Sequence, residues 1–273
     1  MDLGALETLR FDRDGHVGWL RLARPHRLNA MNTTLWTELR EVGEALHDDD
    51  GLRALIVIGE GRAFSSGIDT SVFSGDFGDA ISGGGRRDDD GVVQMIQRTQ
   101  ESFTWFAEAR YATIAAVRGY ALGAGLQLAL ACDVRVFARG ATVGLLELQY
   151  GMMPDLGGTQ RLPRLVGPGK AKEMIFTRAS IDAEEAHRIG LCERLVDDAD
   201  LDDHVRDLAA TIVEQPPLAV RGVKNAVRAA GELDERSGLE VEATNQAICL
   251  TSDDLKEALA AFVEQRPPQY QGR

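Results

Sequence analysis

Val117-Arg118-Gly119-Tyr120-Ala121-Leu122-Gly123-Ala124-Gly125-Leu126-Gln127 joins a predicted strand to a predicted helix near the middle of the chain. Residues 113–117 form an apolar run with β-branched members, which is typical of a buried strand. Residues 126–132 are apolar, rich in alanine and free of helix breakers, so they predict a buried helix. The first N–H groups of such a helix lack partners, and the three glycines let another molecule approach the backbone. The turn therefore predicts an anion or oxyanion site in front of the positive end of the helix dipole.

The glycines of this turn are also consistent with a tight strand–helix junction that binds nothing. A dinucleotide-binding turn is a further alternative. Its order is Gly-x-Gly-x-x-Gly, however, whereas this chain has Gly-x-x-x-Gly-x-Gly. The stretch also lies mid-chain, whereas the nucleotide motif usually opens a domain. We therefore prefer the anion or oxyanion site over both alternatives.

The composition is that of an ordinary globular protein. The chain has 273 residues, of which 44% are hydrophobic, and this length fits one large domain or a domain with a helical extension. A formal net charge of −13 argues against binding to nucleic acid or to an anionic membrane. No signal peptide is visible, and no apolar run approaches the roughly 20 residues that span a bilayer. Cys132, Cys192 and Cys249 form no Cys-x-x-Cys pair, so we expect reduced thiols in a cytoplasmic protein.

The remaining pattern predicts an α/β core followed by helices. Asn32 has N-cap chemistry in front of apolar residues at helical spacing. Residues 71–91 are rich in Gly, Ser and Asp and predict a mobile loop. The other predicted strands are 9–11, 17–22, 52–58, 134–138 and 191–196, and the other predicted helices are 92–109, 167–186 and most of 201–263. We therefore expect an α/β core over residues 1–200 and a C-terminal helical region over residues 201–273.

Five segments of the chain resemble motifs of the crotonase (enoyl-CoA hydratase/isomerase) superfamily, in the same order. Each alone is a weak signal, whereas all five together are specific, and the similarity runs nearly from end to end. The segments are Arg24-Pro25-His26-Arg27-Leu28-Asn29-Ala30-Met31-Asn32, Gly61-Arg62-Ala63-Phe64-Ser65-Ser66-Gly67-Ile68-Asp69, Gly119-Tyr120-Ala121-Leu122-Gly123-Ala124-Gly125, Cys132-Asp133-Val134-Arg135 and Pro154-Asp155-Leu156-Gly157-Gly158-Thr159-Gln160-Arg161-Leu162. The resemblance implies a ClpP/crotonase-like spiral of ββα repeats that forms two roughly perpendicular sheets. It also implies a C-terminal helical region that mediates homotrimers, which commonly pair as hexamers.

An acyl-CoA thioester is the substrate that this resemblance implies, with its carbonyl oxygen between two backbone N–H groups. Carried onto this chain, the two donors belong to Ser66 and Ala124. Chemistry beside a thioester places negative charge on this oxygen, and preorganised N–H donors stabilise it by about 3–4 kcal/mol each. We expect no separate cofactor, because CoA is part of the substrate, and no metal, because the five histidines show no metal-ligand spacing.

Proton transfer in this superfamily relies on carboxylates, and the chain departs from the usual pair of glutamates. At the first position stands Gln127, whose amide cannot accept a proton. The second position, seven residues before Pro154, is Glu147. Asp155 stands where dienoyl-CoA isomerases and some enoyl-CoA isomerases carry an acid, although a helix N-cap is an alternative role for it.

Three activities remain open on these residues. A hydratase would lack one glutamate at Gln127, an enoyl-CoA isomerase needs only Glu147, and a dienoyl-CoA isomerase would use Glu147 with Asp155. We favour a double-bond isomerase of fatty-acid or related acyl-CoA metabolism over a hydratase. A non-catalytic acyl-CoA binding protein is a further alternative.

CoA is expected to contact mainly the backbone. The resemblance suggests that backbone groups of Arg62, Ala63 and Ile68 receive the adenine and pantetheine, with Arg24 and Arg27 near the phosphates. The resemblance, which extends to Ala261-Phe262-Val263-Glu264 near the C-terminus, also places further residues in the substrate site, namely Asp69, Gly123, Gln127 and Phe262. Gln265 stands where some members carry a lysine that contacts the ribose phosphate across a subunit interface.

Overall fold

A computed structural model describes residues 5–74 and 89–273 of the chain. Its strands are β1 (Leu9–Asp14), β2 (Val17–Leu22), β3 (Ala54–Gly59), β4 (Ala112–Val117), β5 (Tyr120–Leu122), β6 (Val134–Ala138), β7 (Thr142–Gly144), β8 (Ile181–Asp182) and β9 (Arg194–Val196). Its α-helices are α1 (Thr33–Leu46), α2 (Asp89–Glu108), α3 (Ala124–Ala131), α4 (Gly158–Val166), α5 (Pro168–Thr177), α6 (Ala183–Arg188), α7 (Leu201–Val213), α8 (Pro217–Ala230), α9 (Glu235–Thr251) and α10 (Asp253–Glu264). The predicted mobile loop at 71–91 falls largely outside the described residues. The predicted α/β class is confirmed.

Six strands form the larger sheet, in the order β1-β2-β3-β4-β6-β9. The β1–β2 pair is the predicted antiparallel hairpin, and all other neighbours are parallel. Every residue of β3 and of β4 is buried, as expected for central parallel strands that are covered on both faces. This burial explains why both strands are continuous apolar runs in the sequence.

A second sheet, as the resemblance implies, consists of three short strands, β5-β7-β8, which the local residue pattern did not predict. Its strands have only two or three residues each, too few for an alternating pattern to show. It begins inside the glycine-rich stretch, where β5 follows β4 after a two-residue break. The second sheet therefore carries the chain from the larger sheet to the start of α3.

Two hydrophobic clusters lie on the two faces of the larger sheet. The larger cluster contains Leu35, Leu39 and Val42 of α1, and the smaller one contains Leu201 and Val205 of α7. Asn32 caps α1 as predicted, because its side-chain oxygen accepts a hydrogen bond of 3.0 Å from the Leu35 N–H. Within the described ranges, no helix combines the length and the apolar character that crossing a membrane requires.

Candidate active site

The glycine-rich turn places the first N–H group of α3 beside a buried carboxylate. Gly123 has φ +51° and ψ −121°, which a residue with a side chain rarely adopts. A Cβ atom added at Gly123 would lie 3.3 Å from Glu147 Oε1, so glycine also lets the carboxylate approach the turn. The N–H group of Ala124, the first residue of α3, has no acceptor among the described residues. Ala124 therefore offers the free donor that the sequence predicts.

Residues 64–68 run alongside this turn and are bonded to it through their backbone. The Ser65 N–H donates to the Tyr120 carbonyl at 2.8 Å, and the Leu122 N–H donates back to the Ser65 carbonyl at 3.0 Å. A Cβ atom added at Gly67 would lie only 3.9 Å from the Ala124 nitrogen. The loop that follows Ser65 therefore sits directly beside the free N–H group of α3.

The prediction that Ser66 supplies the second oxyanion donor is wrong. The Ser66 N–H donates to the Leu28 carbonyl at 2.9 Å, so it is already paired inside the chain. Two residues later, the Ile68 N–H has no acceptor among the described residues, and it directly follows Gly67 beside Ala124. Ile68 is therefore the residue whose N–H group can act together with that of Ala124. No local pattern separates the two candidates, because Leu28 is distant in sequence.

Glu147 begins a short 3₁₀ helix, Glu147–Tyr150, that follows β7. The residue is 5% exposed. Its Oε1 atom accepts a hydrogen bond of 2.8 Å from Gln127 Nε2. Its Oε2 atom is buried and has no partner among the described residues. A buried carboxylate oxygen without a partner is rare, and it is available to take or give a proton.

Gln127 lies on α3 and is 1% exposed. Its Oε1 atom accepts hydrogen bonds from the backbone N–H groups of Leu156, at 2.8 Å, and Gly158, at 2.9 Å. Because both partners are donors, the atom that faces them is the oxygen, and the amide nitrogen faces Glu147. The oxygen of the Gln127 side chain is therefore fully engaged with the protein.

Burial is the largest influence on the two carboxyl groups of the site. It raises the pKa of Glu147, and the nearby charge of Asp155 raises this pKa further, whereas the hydrogen bond from Gln127 lowers it. Burial also raises the pKa of Asp155. A raised pKa brings a carboxyl group closer to the pH at which it can act both as an acid and as a base.

Asp155 does not cap the helix that follows it. The N-cap of α4 is Gly157, and the first N–H group of this helix, that of Gly158, donates to Gln127 rather than to Asp155. Asp155 instead lies in the wall of a cavity of about 1220 Å³, together with apolar residues such as Met95, Ile96 and Met152. Glu147 does not line this cavity, so Asp155 is the one of the two carboxyl groups that borders it.

The other predicted substrate residues differ in their pairing and in their exposure. Arg24 and Asp69 bind each other, with 2.9 Å between Arg24 Nη2 and Asp69 Oδ2, so the charge of Arg24 is neutralised within the chain. This pairing does not support the predicted contact of Arg24 with a phosphate, and Asp69 also accepts from the Ser71 N–H. Arg27 and Arg62 are exposed, whereas Ala63 is fully buried beside the turn.

Phe262 is not brought to the site in this single chain. It lies on α10, is 83% exposed and does not line the cavity near Asp155. Among the residues that the structure describes, no group of three or more His, Cys, Asp or Glu side chains is arranged to hold a metal ion. The described site therefore consists of two free N–H groups, the buried carboxyl group of Glu147 and the half-buried one of Asp155, and the Gln127 amide bonds to Glu147 and to the backbone on either side of Gly157.

Known proteins share this architecture along nearly the whole chain. The family model for enoyl-CoA hydratase/isomerase matches residues 12–273. A probable enoyl-CoA hydratase of Mycobacterium bovis is 37% identical over 271 residues, which cover 98% of this chain and 99% of that protein.

Two solved structures are similar in fold as well as in sequence. The structure of a putative enoyl-CoA hydratase from Streptomyces coelicolor has a TM-score of 0.90 at 33% identity, covering 98% of this chain and 96% of that one. A putative enoyl-CoA hydratase from Thermobifida fusca, solved in complex with acetoacetyl-CoA, has a TM-score of 0.79 at 39% identity, covering 89% of this chain and 94% of that one. The chain has the crotonase fold and belongs to the enoyl-CoA hydratase/isomerase family.

Proposed function

We propose that this enzyme moves a carbon–carbon double bond in an acyl-CoA thioester, with Glu147 as the proton carrier. The observation that carries the proposal is the buried Oε2 atom of Glu147, which has no partner among the described residues. The neighbouring side chain at the first of the two usual acid positions is Gln127, which cannot accept a proton. One carboxylate is sufficient for a transfer from carbon to carbon.

The thioester oxygen is held by the N–H groups of Ile68 and Ala124. Loss of the proton from C2 produces an enolate, whose charge develops on this oxygen. Two preorganised donors stabilise that charge, and removing one such donor typically costs about 10²–10³ in rate. The N-terminus of α3 adds its dipole behind Ala124.

Glu147 then completes the isomerisation. Its carboxylate takes a proton from C2 of a 3-enoyl-CoA, so that the C2–H bond breaks and a dienolate forms. The protonated Glu147 returns the proton to C4, and the double bond moves from C3–C4 to C2–C3. With a 3,5-dienoyl-CoA, Asp155 supplies the proton at C6, and Glu147 keeps the one that it took from C2. The raised pKa values of both groups suit these roles.

Hydration of a 2-enoyl-CoA is the second candidate. The names of the similar proteins favour it. Gln127 Nε2 carries two hydrogens, of which one is directed to Glu147, so the other is able to orient a water molecule. Glu147 would take a proton from that water and pass it to C2.

A non-catalytic binder is the least supported alternative. An unpartnered, buried carboxylate destabilises the fold, and simple binding of a thioester does not require one. The CoA-bound relative supports an acyl-CoA ligand for this chain as well.

Homotrimers, or hexamers built as dimers of trimers, are the assembly we propose. The supporting observation is a set of exposed apolar residues on the C-terminal helices, including Leu250, Leu259, Phe262 and Val263. Such residues are typical of surfaces that become buried between subunits.

A parallel assay tests the proposed activity. The purified protein is incubated with 2-enoyl-CoA, 3-enoyl-CoA and 3,5-dienoyl-CoA of medium chain length, and the product masses are measured. An isomerase converts a 3-enoyl- or 3,5-dienoyl-CoA into a product of unchanged mass. If 2-enoyl-CoA alone is converted and its product has gained the mass of one water, the activity is hydration and the proposed isomerisation is wrong.

A further inference from the structure

Gln127 connects two parts of the site that are remote in sequence. On one side its oxygen accepts hydrogen bonds from the N–H groups of Leu156 and Gly158, which flank the turn into α4. On the other side its nitrogen donates to Glu147 Oε1 at 2.8 Å. The segment that carries Asp155 and the side chain of Glu147 are therefore held by the same amide.

We propose that Gln127 is a positioning residue that holds Glu147 in the rotamer in which Oε2 alone is free for proton transfer, and that ties this rotamer to the Asp155 loop. The inference rests on the proposed role of Glu147 and adds a residue that acts through it. It assigns a purpose to the amide that stands where a second glutamate is usual. Gln127 acts here by its hydrogen bonds rather than by moving a proton.

The hydrogen-bond pattern selects glutamine at this position. Two backbone donors require an oxygen, whereas Glu147 Oε1 requires a donor, and an amide side chain provides both. A glutamate would accept from Leu156 and Gly158 but would set a second negative charge against Glu147. A methionine would leave two buried N–H groups and Glu147 Oε1 unpaired.

Close packing holds the amide in place. A Cβ atom added at Gly158 would lie 2.9 Å from Gln127 Oε1, so the glycine makes this approach possible. The same loop is also held by Gln100, whose Nε2 atom donates to the Asp155 carbonyl at 2.6 Å. Gln100 thus contacts the loop without contacting Glu147, which makes it a matched control.

Few charged groups surround Glu147. Helix α3 carries no titratable side chain. The 151–157 loop brings Asp155, whose charge opposes ionisation of Glu147. The first turn of α4 brings Arg161, whose Nη1 atom donates to the Leu156 carbonyl at 3.1 Å. In its own 3₁₀ helix, Tyr150 is 58% exposed. Besides the backbone N–H of Glu147 itself, the side chain of Gln127 is therefore the contact that favours the carboxylate form.

The test is the pH profile of kcat/KM for Gln127→Met, Gln127→Glu and the control Gln100→Met, on whichever acyl-CoA class the parallel assay identifies. Glu147 must be ionised to take a proton, so removing the donor raises the midpoint of the acidic limb. We expect an upward shift of about one pH unit for Gln127→Met and a larger shift for Gln127→Glu, which also adds a charge. Gln100→Met, which loosens the same loop, keeps the wild-type midpoint.

Glu147→Gln separates failure of this inference from failure of the proposed function. Wild-type midpoints in both Gln127 variants, alongside an inactive Glu147→Gln, would overturn the positioning role and leave the activity intact. An equal shift in Gln100→Met would also overturn it, because loop loosening alone would then explain the change. Full activity of Glu147→Gln would overturn the proposed function itself. Gln127→Glu retains the size and the two backbone contacts of Gln127, so it provides the profile if Gln127→Met does not fold.

Discussion

Replacing Glu147 with glutamine removes the proposed proton carrier with little change of shape. The oxygen of the introduced amide can take the place of Oε1 and accept from Gln127, which leaves the amide nitrogen in the place of Oε2. That nitrogen donates hydrogen bonds but accepts no proton. Positioned acid–base groups contribute typically 10²–10⁴ in rate, and a carboxylate oxygen this deeply buried is hard for water to replace. We therefore expect Glu147→Gln to lower kcat about 10³-fold.

The assay is steady-state isomerisation of 3-enoyl-CoA, with acyl-CoA affinity measured separately by calorimetry. Affinity should change little, because the donors of Ile68 and Ala124 are backbone groups and remain. The matched control is Glu173→Gln on α5, whose side chain is 62% exposed, and it should retain wild-type kcat. A kcat within about threefold of wild type for Glu147→Gln would refute the assignment of the proton carrier.

Thermal unfolding shows whether a loss of activity in Glu147→Gln comes from a loss of structure. Burial raises the pKa of Glu147 in the folded chain, so the ionised group destabilises the fold most above that pKa, and this cost declines as the pH falls from it towards the lower pKa of the unfolded chain. A neutral amide avoids the cost. Glu147→Gln should therefore unfold at the same temperature as wild type, or a higher one, at about pH 8.

Three further predictions concern the second acid, the helical region and the assembly. Asp155→Asn should abolish turnover of 3,5-dienoyl-CoA while 3-enoyl-CoA is still isomerised, and equal losses on both would contradict the two-acid step. Lys224→Met should lower the free energy of unfolding by about 2 kcal/mol, because Lys224 is 8% exposed, pairs with Asp133 at 2.8 Å and binds two carbonyl groups. The control is Lys256→Met, which removes an exposed ion pair with Asp253 and should leave the free energy of unfolding unchanged. Both free energies are measured by denaturant titration. Phe262→Asp should shift the mass seen by light scattering from trimer or hexamer towards monomer, and an unchanged mass would exclude this surface.

Much of the fold was predictable because it depends on local patterns. The apolar runs of β3 and β4, the Asn32 cap and the strand–turn–helix unit at 113–132 are all readable from neighbouring residues. The C-terminal helices followed from periodic apolar positions. The boundary at residue 200 between core and helical region remains a prediction.

The finer features of the site depend on contacts between remote segments. Ser66 and Ile68 differ as donors only because the Leu28 carbonyl occupies the first of them. Gln127 looks like a lost acid in the sequence, whereas its partners at Leu156 and Gly158 show an amide with every oxygen contact in use. Neither distinction is encoded in local spacing, and both determine which atoms are free to react.

Deuterium tracing tests the transfer of a proton by one carboxylate most directly. A 3-enoyl-CoA in which deuterium replaces both hydrogens on C2 is converted in ordinary water. The early product is analysed by mass spectrometry and NMR. If Glu147 carries the proton from carbon to carbon, the 2-enoyl product contains deuterium at C4 and has gained no oxygen. A product without deuterium at C4 from the first turnovers onward, or one that carries a hydroxyl group at C3, would contradict the account.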